Sequence, residues 1–221
     1  MDRTTKQEWK QKYALALSQN LEKGNWEKVQ ELLPAAENIG VSSRQLQKTW
    51  TNFGIHQKNQ NNLVSAVVSF ASARRHALDN NQILAELLLC LGGFIERFES
   101  KFSREDLVHL EYGLDRVYSF QKTRPKTSDA NLQRAKELLA YIRAQKQVAP
   151  SKQETPATHH VLRIFAALHP DMTFDEVKVE FARVVAPLIR RKLAESKKPT
   201  AKKPSSTGGK KPPKNKDDKD K

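Results

Sequence analysis

The side chains that most often carry acid–base or metal chemistry are few in this chain of 221 residues. The histidines are His56, His76, His109, His159, His160 and His169. No two of them stand four residues apart, the spacing that places two imidazoles on one helix face for a shared metal ion. His159 and His160 are adjacent, and on a helix they point in two directions. The sequence therefore predicts no metal site.

The single cysteine and the acidic pairs also lack the context of catalytic groups. Cys90 lies in the most apolar helical segment, where a buried and unreactive thiol is expected. Glu176 and Glu180 have the spacing of a solvated helix surface. The sequence contains no glycine-rich phosphate loop and no nucleophile elbow. We therefore expect a protein that is not an enzyme, needs no cofactor and acts by binding.

The elements that would position binding residues are predicted to be helices throughout. Apolar residues recur with helical spacing, and no alternating run predicts a strand. We predict seven helices within 1–147, a linker at 148–156 and two further helices within 157–195. The fold class is therefore all-α. The polar N-terminus and a longest apolar stretch of only 13 residues, at 83–95, predict neither a secretory signal nor a membrane span.

Basic charge is concentrated at the C-terminal end. The chain carries a net charge of +14, and residues 190–221 hold 13 basic and 4 acidic residues, a net +9. Residues 196–221 are rich in Pro, Gly, Ser and Lys, so we predict a disordered tail. The candidate polyanion-binding residues are Arg190, Arg191, Lys192, Lys197, Lys198, Lys202, Lys203, Lys210 and Lys211. They would contact phosphates of RNA or DNA without sequence choice, unless the tail only keeps the protein soluble.

One pair of predicted helices carries a recognisable packing pattern. Trp50-x-x-Phe53-Gly54 is followed by Ala66, Phe70 and Ala73, where small residues let two helices approach and aromatic residues fill the grooves beside them. This pattern resembles the tetratricopeptide repeat (TPR) motif. Weaker matches precede and follow it, including the turn Gly24-Asn25-Trp26 and the segment Leu88-x-x-Leu91-Gly92-x-x-Ile95. The resemblance covers about residues 1–147, and we expect helix hairpins stacked as a short solenoid, with the seventh helix as its polar-backed cap.

The resemblance to TPR proteins implies a groove, lined by the first helix of each hairpin, that binds a peptide or helix of a protein partner. Family groove positions fall on Thr51, Ile55, Lys58, Asn59, Leu89, Glu96 and Arg97. Of these, Lys58, Asn59 and Arg97 could hold a carboxylate of an acidic peptide. For each of them taken singly, an ordinary solvated helix face is the more frequent explanation.

A second resemblance rests on the tripeptide His169-Pro170-Asp171, which stands between two predicted helices. The arrangement resembles the J-domain of co-chaperones, which would imply stimulation of a heat-shock chaperone partner. The preceding helix of that family has no counterpart in residues 150–160. The tripeptide is also an efficient helix stop, because proline cannot continue a helix and aspartate favours a turn.

Taken together, these patterns predict a non-catalytic adaptor, expected in the cytoplasm or in the nucleus of a eukaryote. Its groove binds a protein partner and its tail attracts a polyanion. The alternative is a nucleic-acid-binding protein in which the segments 74–76 and 122–126 join the tail in one positive surface. A shared basic face would favour that alternative, and scattered basic residues would favour the adaptor.

Overall fold

The computed structural model describes residues 3–150 and 155–168, which form α-helices joined by short loops and contain no β-strand. The helices are α1 (Arg3–Glu22), α2 (Trp26–Ile39), α3 (Ser43–Asn59), α4 (Leu63–His76), α5 (Asn81–Phe98), α6 (Arg104–Lys122), α7 (Asp129–Val148) and α8 (Thr158–Ala167). The all-α prediction is confirmed for these residues. None of these helices is long and apolar enough to cross a membrane. The predicted ninth helix and the predicted disordered tail lie outside the described residues.

The helix ends are set by local sequence. Gly24 and Gly40 adopt the left-handed conformation, with φ of +65° and +81°, just after α1 and α2. This conformation costs glycine little and is a common helix stop. At α6, Ser103 and Asp106 form a reciprocal capping box. Side-chain N-caps, which satisfy free backbone N–H groups, are Asn25, Ser42, Asn62, Asn80, Ser103 and Ser128.

The hairpin of α3 and α4 is built on a glycine–aromatic contact. A Cβ atom at Gly54 would lie 3.0 Å from the ring of Phe70, which is fully buried. Glycine therefore lets the two helix axes approach, and the Phe70 ring fills the space that a side chain would occupy. The motif residues Ala66 and Ala73 are also fully buried. Four of the residues that carried the repeat pattern, Gly54, Ala66, Phe70 and Ala73, are thus buried in this hairpin, whereas Phe53 is buried in the cluster with α1 and α2.

Trp50 connects two hydrophobic clusters. The first is formed by α1, α2 and α3, and the second extends from α4 to α8. Trp50 packs against both of them. Its Nε1 donates a hydrogen bond of 2.6 Å to Glu37 Oε1, which lies 3.3 Å from His76 Nε2. One carboxylate on α2 thereby links α3 and α4.

The regular stacking of consecutive helices changes after α5. Helix α5 packs against α4 and α7, whereas α6 packs against α7 and α8, and α8 also packs against α4. Val161 and Ile164 of α8, and Leu168 just after it, are buried in the same cluster as residues of α4 and α5. A Cβ atom at Gly113 of α6 would lie 3.0 Å from the Leu168 side chain. The segment that follows the predicted linker therefore shares its core with the preceding helices.

Polar contacts fix both ends of α8. Before its first turn, Thr155 Oγ1 donates a hydrogen bond of 2.9 Å to Asp106 Oδ2, at the start of α6. At its last turn, one Arg75 nitrogen donates to the carbonyl oxygens of Ala166 and Ala167, each at 3.3 Å. A cation at this position also complements the negative end of the helix dipole.

Two half-buried histidines lie at the α8 interface. The His109 ring of α6 lies edge-on to Phe165 of α8, with centroids 5.4 Å apart. The His160 ring of α8 lies 5.7 Å from Phe98 of α5. Burial lowers the pKa of both histidines below the ordinary value of 6.5. The folded arrangement therefore favours the neutral imidazoles.

We predict that Gly54→Ala and Gly93→Ala change stability in opposite directions. Alanine is favoured over glycine in a helix by about 1 kcal/mol, and a Cβ at Gly93 would meet Leu63 at an ordinary 3.5 Å. Gly93→Ala should therefore raise the free energy of unfolding by up to about 1 kcal/mol. At Gly54 the Phe70 clash should outweigh this gain, with a net loss of about 1–2 kcal/mol. Urea unfolding followed by circular dichroism measures both, and equal stabilisation by both variants would contradict the packing described here.

We also predict that the docking of α8 weakens in acid. A lowered histidine pKa in the folded state contributes stability that is present above pH 6.5 and lost as the pH falls through the folded values. Hydrogen-exchange protection factors, corrected for intrinsic rates, should therefore fall more in α8 than in α3 between pH 7.5 and pH 5.5. The variant His109→Gln/His160→Gln should lose this difference, and an unchanged difference would refute the role of the two imidazoles.

Candidate functional site

A groove with a volume of about 600 Å³ lies between α5 and α7. Its floor is apolar and contains Gly92, Ile95 and Leu138, and its rim carries charged and hydroxyl groups. The complete lining is Gly92, Ile95, Glu96, Ala130, Gln133, Arg134, Glu137, Leu138 and Tyr141. An apolar floor with a few polar groups at its edge is typical of binding sites for small molecules and peptide segments.

The first end of the groove is fixed by hydrogen bonds between the starts of the two helices. Asn131 of α7 is buried, and its Nδ2 donates a bond of 2.9 Å to the carbonyl oxygen of Asn81. Asn81 Oδ1 accepts from the Ser128 N–H at 2.8 Å, and Asn81 Nδ2 donates to the Lys126 carbonyl at 2.7 Å. These bonds place the two N-termini side by side, so α5 and α7 run parallel.

The second end is closed by Glu99, which follows α5. Glu99 Oε1 accepts a hydrogen bond from the Tyr141 hydroxyl and another, of 2.7 Å, from Gln145 Nε2. Burial and the negative charge of Glu99 raise the pKa of the Tyr141 phenol, and Glu96 adds to this effect. Two carboxylates therefore act on the same end of the groove.

Gly92 and Gly93 lie where α5 is flanked by α7 and α4. A Cβ atom at Gly92 would lie 3.4 Å from Leu138 on α7, and one at Gly93 would lie 3.5 Å from Leu63 on α4. Each position thus has room for a small residue but is closely flanked by a leucine, and Gly92 forms part of the groove floor. These glycines interrupt a leucine-rich helix, which is the sequence signal for close packing at this point.

Of the residues predicted from the repeat resemblance, Glu96 lines this groove. Ile55 and Leu89 are exposed, with 42% and 40% of their surface accessible. Lys58 forms an ion pair with Glu86, with Nζ and Oε2 2.7 Å apart. Asn59 is exposed.

Two other predicted groove residues are engaged by their own chain. Arg97 is exposed, and its Nη1 donates a hydrogen bond of 3.2 Å to the Asn61 carbonyl oxygen. Thr51 Oγ1 donates to the Gln47 carbonyl at 2.8 Å. The two cations predicted for an acidic peptide, Lys58 and Arg97, thus bind oxygen atoms of α5 and of the α3–α4 loop.

Four residues of the two basic segments that the alternative function would use are engaged within the described part of the chain. Arg74 is buried, Arg75 binds the end of α8, and His76 lies beside a carboxylate of α2. In the other basic segment, Arg124 forms an ion pair with Asp79, with nitrogen and oxygen 2.7 Å apart. The segment 74–76 is therefore occupied in holding helices together.

The residues that could take part in catalysis or metal binding are either spread over the described residues or lie outside them. Cys90 is buried, and burial raises the pKa of its thiol to about 11. Within residues 3–150 and 155–168, no group of three or more His, Cys, Asp or Glu side chains could hold a metal ion. The tripeptide 169–171 and the polyanion-binding residues of 190–211 lie outside the described residues.

Several groove residues were not predicted from the sequence. Gln133, Arg134, Glu137 and Tyr141 all belong to α7, which was expected to be the cap of a repeat array. Their partners on α5 become visible only once the two helices lie side by side. The signal that could have found them is the Gly92-Gly93 pair, which marks a face of α5 that another helix approaches.

No protein-family model, curated protein or solved structure gives a match to this chain. The function proposed below is therefore argued from the geometry and charge of the groove.

Proposed function

We propose that this protein is a non-catalytic adaptor that binds a segment of a protein partner in the groove between α5 and α7. The observation that carries the proposal is the groove itself, with an apolar floor, a polar rim and a volume of about 600 Å³. This volume lies within the range of about 300–1,000 Å³ that is usual for binding sites. The resemblance to TPR proteins supports binding of a peptide in general, and of its groove positions Glu96 lines this groove.

The groove is suited to binding because its walls are preorganised. The Asn81 and Asn131 amides hold one end, and Glu99 with Tyr141 holds the other. A groove that exists before binding does not have to be ordered by its ligand. Less of the interaction free energy is then offset by the loss of conformational entropy.

The basic C-terminal region forms the second part of the proposal. Its net charge of +9 over residues 190–221 would attract a polyanion through phosphate or carboxylate contacts, strongly dependent on salt. The adaptor is favoured over binding of nucleic acid by the helical body, because Arg75 and His76 are used between helices.

Selection of peptides from a random display library tests the groove directly. The immobilised full-length chain should enrich a family of twelve-residue peptides, each with one apolar anchor. Ala130 is exposed at the rim, so Ala130→Trp should fill the groove without disturbing the core. We expect this variant to bind the enriched peptides at least about tenfold more weakly, since it removes a buried anchor contact worth more than about 1.4 kcal/mol.

The matched control is Ala140→Trp, because Ala140 is exposed on the same helix but does not line the groove. This variant should retain wild-type affinity for the same peptides. The proposal is refuted if no peptide is enriched, or if the enriched peptides bind the two variants equally well.

A further inference from the structure

We infer that the partner segment carries an arginine or lysine next to an apolar anchor residue, and that the cation binds at the Tyr141 end of the groove. This inference rests on the proposed function and specifies the chemistry of the partner. It reverses the expectation of an acidic peptide that the repeat resemblance implied.

The acidic character of this end comes from α5. Glu96 lines the groove and is exposed, and Glu99 follows three residues later, one helical turn away. Among the described residues, Glu96 forms no ion pair, and Glu99 receives neutral donors from Tyr141 and Gln145. A cation placed beside Tyr141 would therefore meet two carboxylates that form no ion pair with a basic side chain of residues 3–150 or 155–168.

The basic residue of the groove stands two helical turns from Tyr141. Arg134 and Tyr141 are both on α7, seven residues apart, which separates their Cα atoms by about 10 Å along the helix. That distance exceeds the Debye length of about 8 Å at physiological salt, so the attraction between exposed charges at these two positions is weakened. The groove is thus polarised, with the guanidinium toward the start of α7 and the carboxylates toward its middle.

The apolar anchor site lies next to the acidic end. Leu138 stands one turn before Tyr141 on α7, and it faces Gly92 across the groove floor. Adjacent Cα atoms of a partner segment are about 3.8 Å apart, close to the about 4.5 Å that three residues span along α7. The long side chain of an Arg or Lys next to an apolar residue in the floor would therefore reach Glu96.

The two cations that the repeat resemblance assigned to an acidic partner are already bound within the chain. Lys58 pairs with Glu86, and Arg97 donates to the Asn61 carbonyl. Glu96, by contrast, is exposed to solvent. Its side chain is negative although the chain as a whole has a net charge of +14. Charge complementarity thus favours a basic segment as the occupant.

Two matched display libraries test the inference. Both contain twelve-residue peptides with the same random positions, and the central residue is fixed as Arg in one and as Glu in the other. On the full-length wild-type chain, we expect the Arg library to be enriched about five- to tenfold over the Glu library, as for one partly solvated charge contact. Glu96→Lys should abolish or reverse this preference.

The control variant is Glu22→Lys, which makes the same charge change at an exposed carboxylate at the end of α1. It should keep the preference for the Arg library, and circular dichroism should show the same unfolding midpoint for Glu96→Lys and wild type. Equal enrichment of the two libraries, or preference for the Glu library, overturns the inference. If Ala130→Trp still prevents binding in that case, the proposed function stands, whereas failure of both libraries to yield binders removes the proposed function as well.

Discussion

The contact of the Trp50 indole with two hydrophobic clusters is the interaction on which the remaining structure depends. Trp50 packs against both the cluster of α1 to α3 and the cluster that extends from α4 to α8, next to the contact of Gly54 on α3 with Phe70 on α4. The Nε1 bond to Glu37 fixes the orientation of the ring, and His76 approaches the same carboxylate. The contacts of Glu37 with Trp50 and His76 hold α4 against α2 and α3. Helices α5 and α8 in turn pack against α4.

The position of the groove depends on how α5 packs between α4 and α7. Gly93 faces Leu63 of α4, and Gly92 faces Leu138 of α7 on the other side. Helix α5 is thus flanked by a leucine in two directions at positions that have room only for small residues. The hydrogen bond from the Asn131 side-chain amide to the Asn81 carbonyl oxygen then aligns the starts of α5 and α7. The two helices run parallel and present side chains to one surface.

The sequence predicts the local features of this structure better than its long-range contacts. The turn at Gly24, the cap at Ser103 and the aromatic and small residues around Phe70 depend on spacings within one or two helices, and spacing can be read from a chain. The position of α8 depends on contacts such as Thr155 with Asp106, 49 residues apart. No local pattern specifies such a contact.

The same distinction applies to the candidate site. The repeat resemblance placed Glu96 on a binding surface, but α7 contributes the other wall through bonds that join residues 50 positions apart. Sequence reasoning also assumed that basic residues face solvent. Arg75 and Lys58 instead pair with groups of their own chain, because a helix end and a carboxylate lie within reach.

The central claim is that the surface between α5 and α7, rather than that of α3 and the outer face of α5, receives the partner. A methyl-detected NMR titration of the full-length chain with a peptide obtained by selection tests it most directly. We predict that the resonances of Ile95 and Leu138 shift with the peptide concentration, while those of Ile55 and Leu89 remain in place. Shifts at Ile55 and Leu89 with none at Ile95 and Leu138 would contradict this claim.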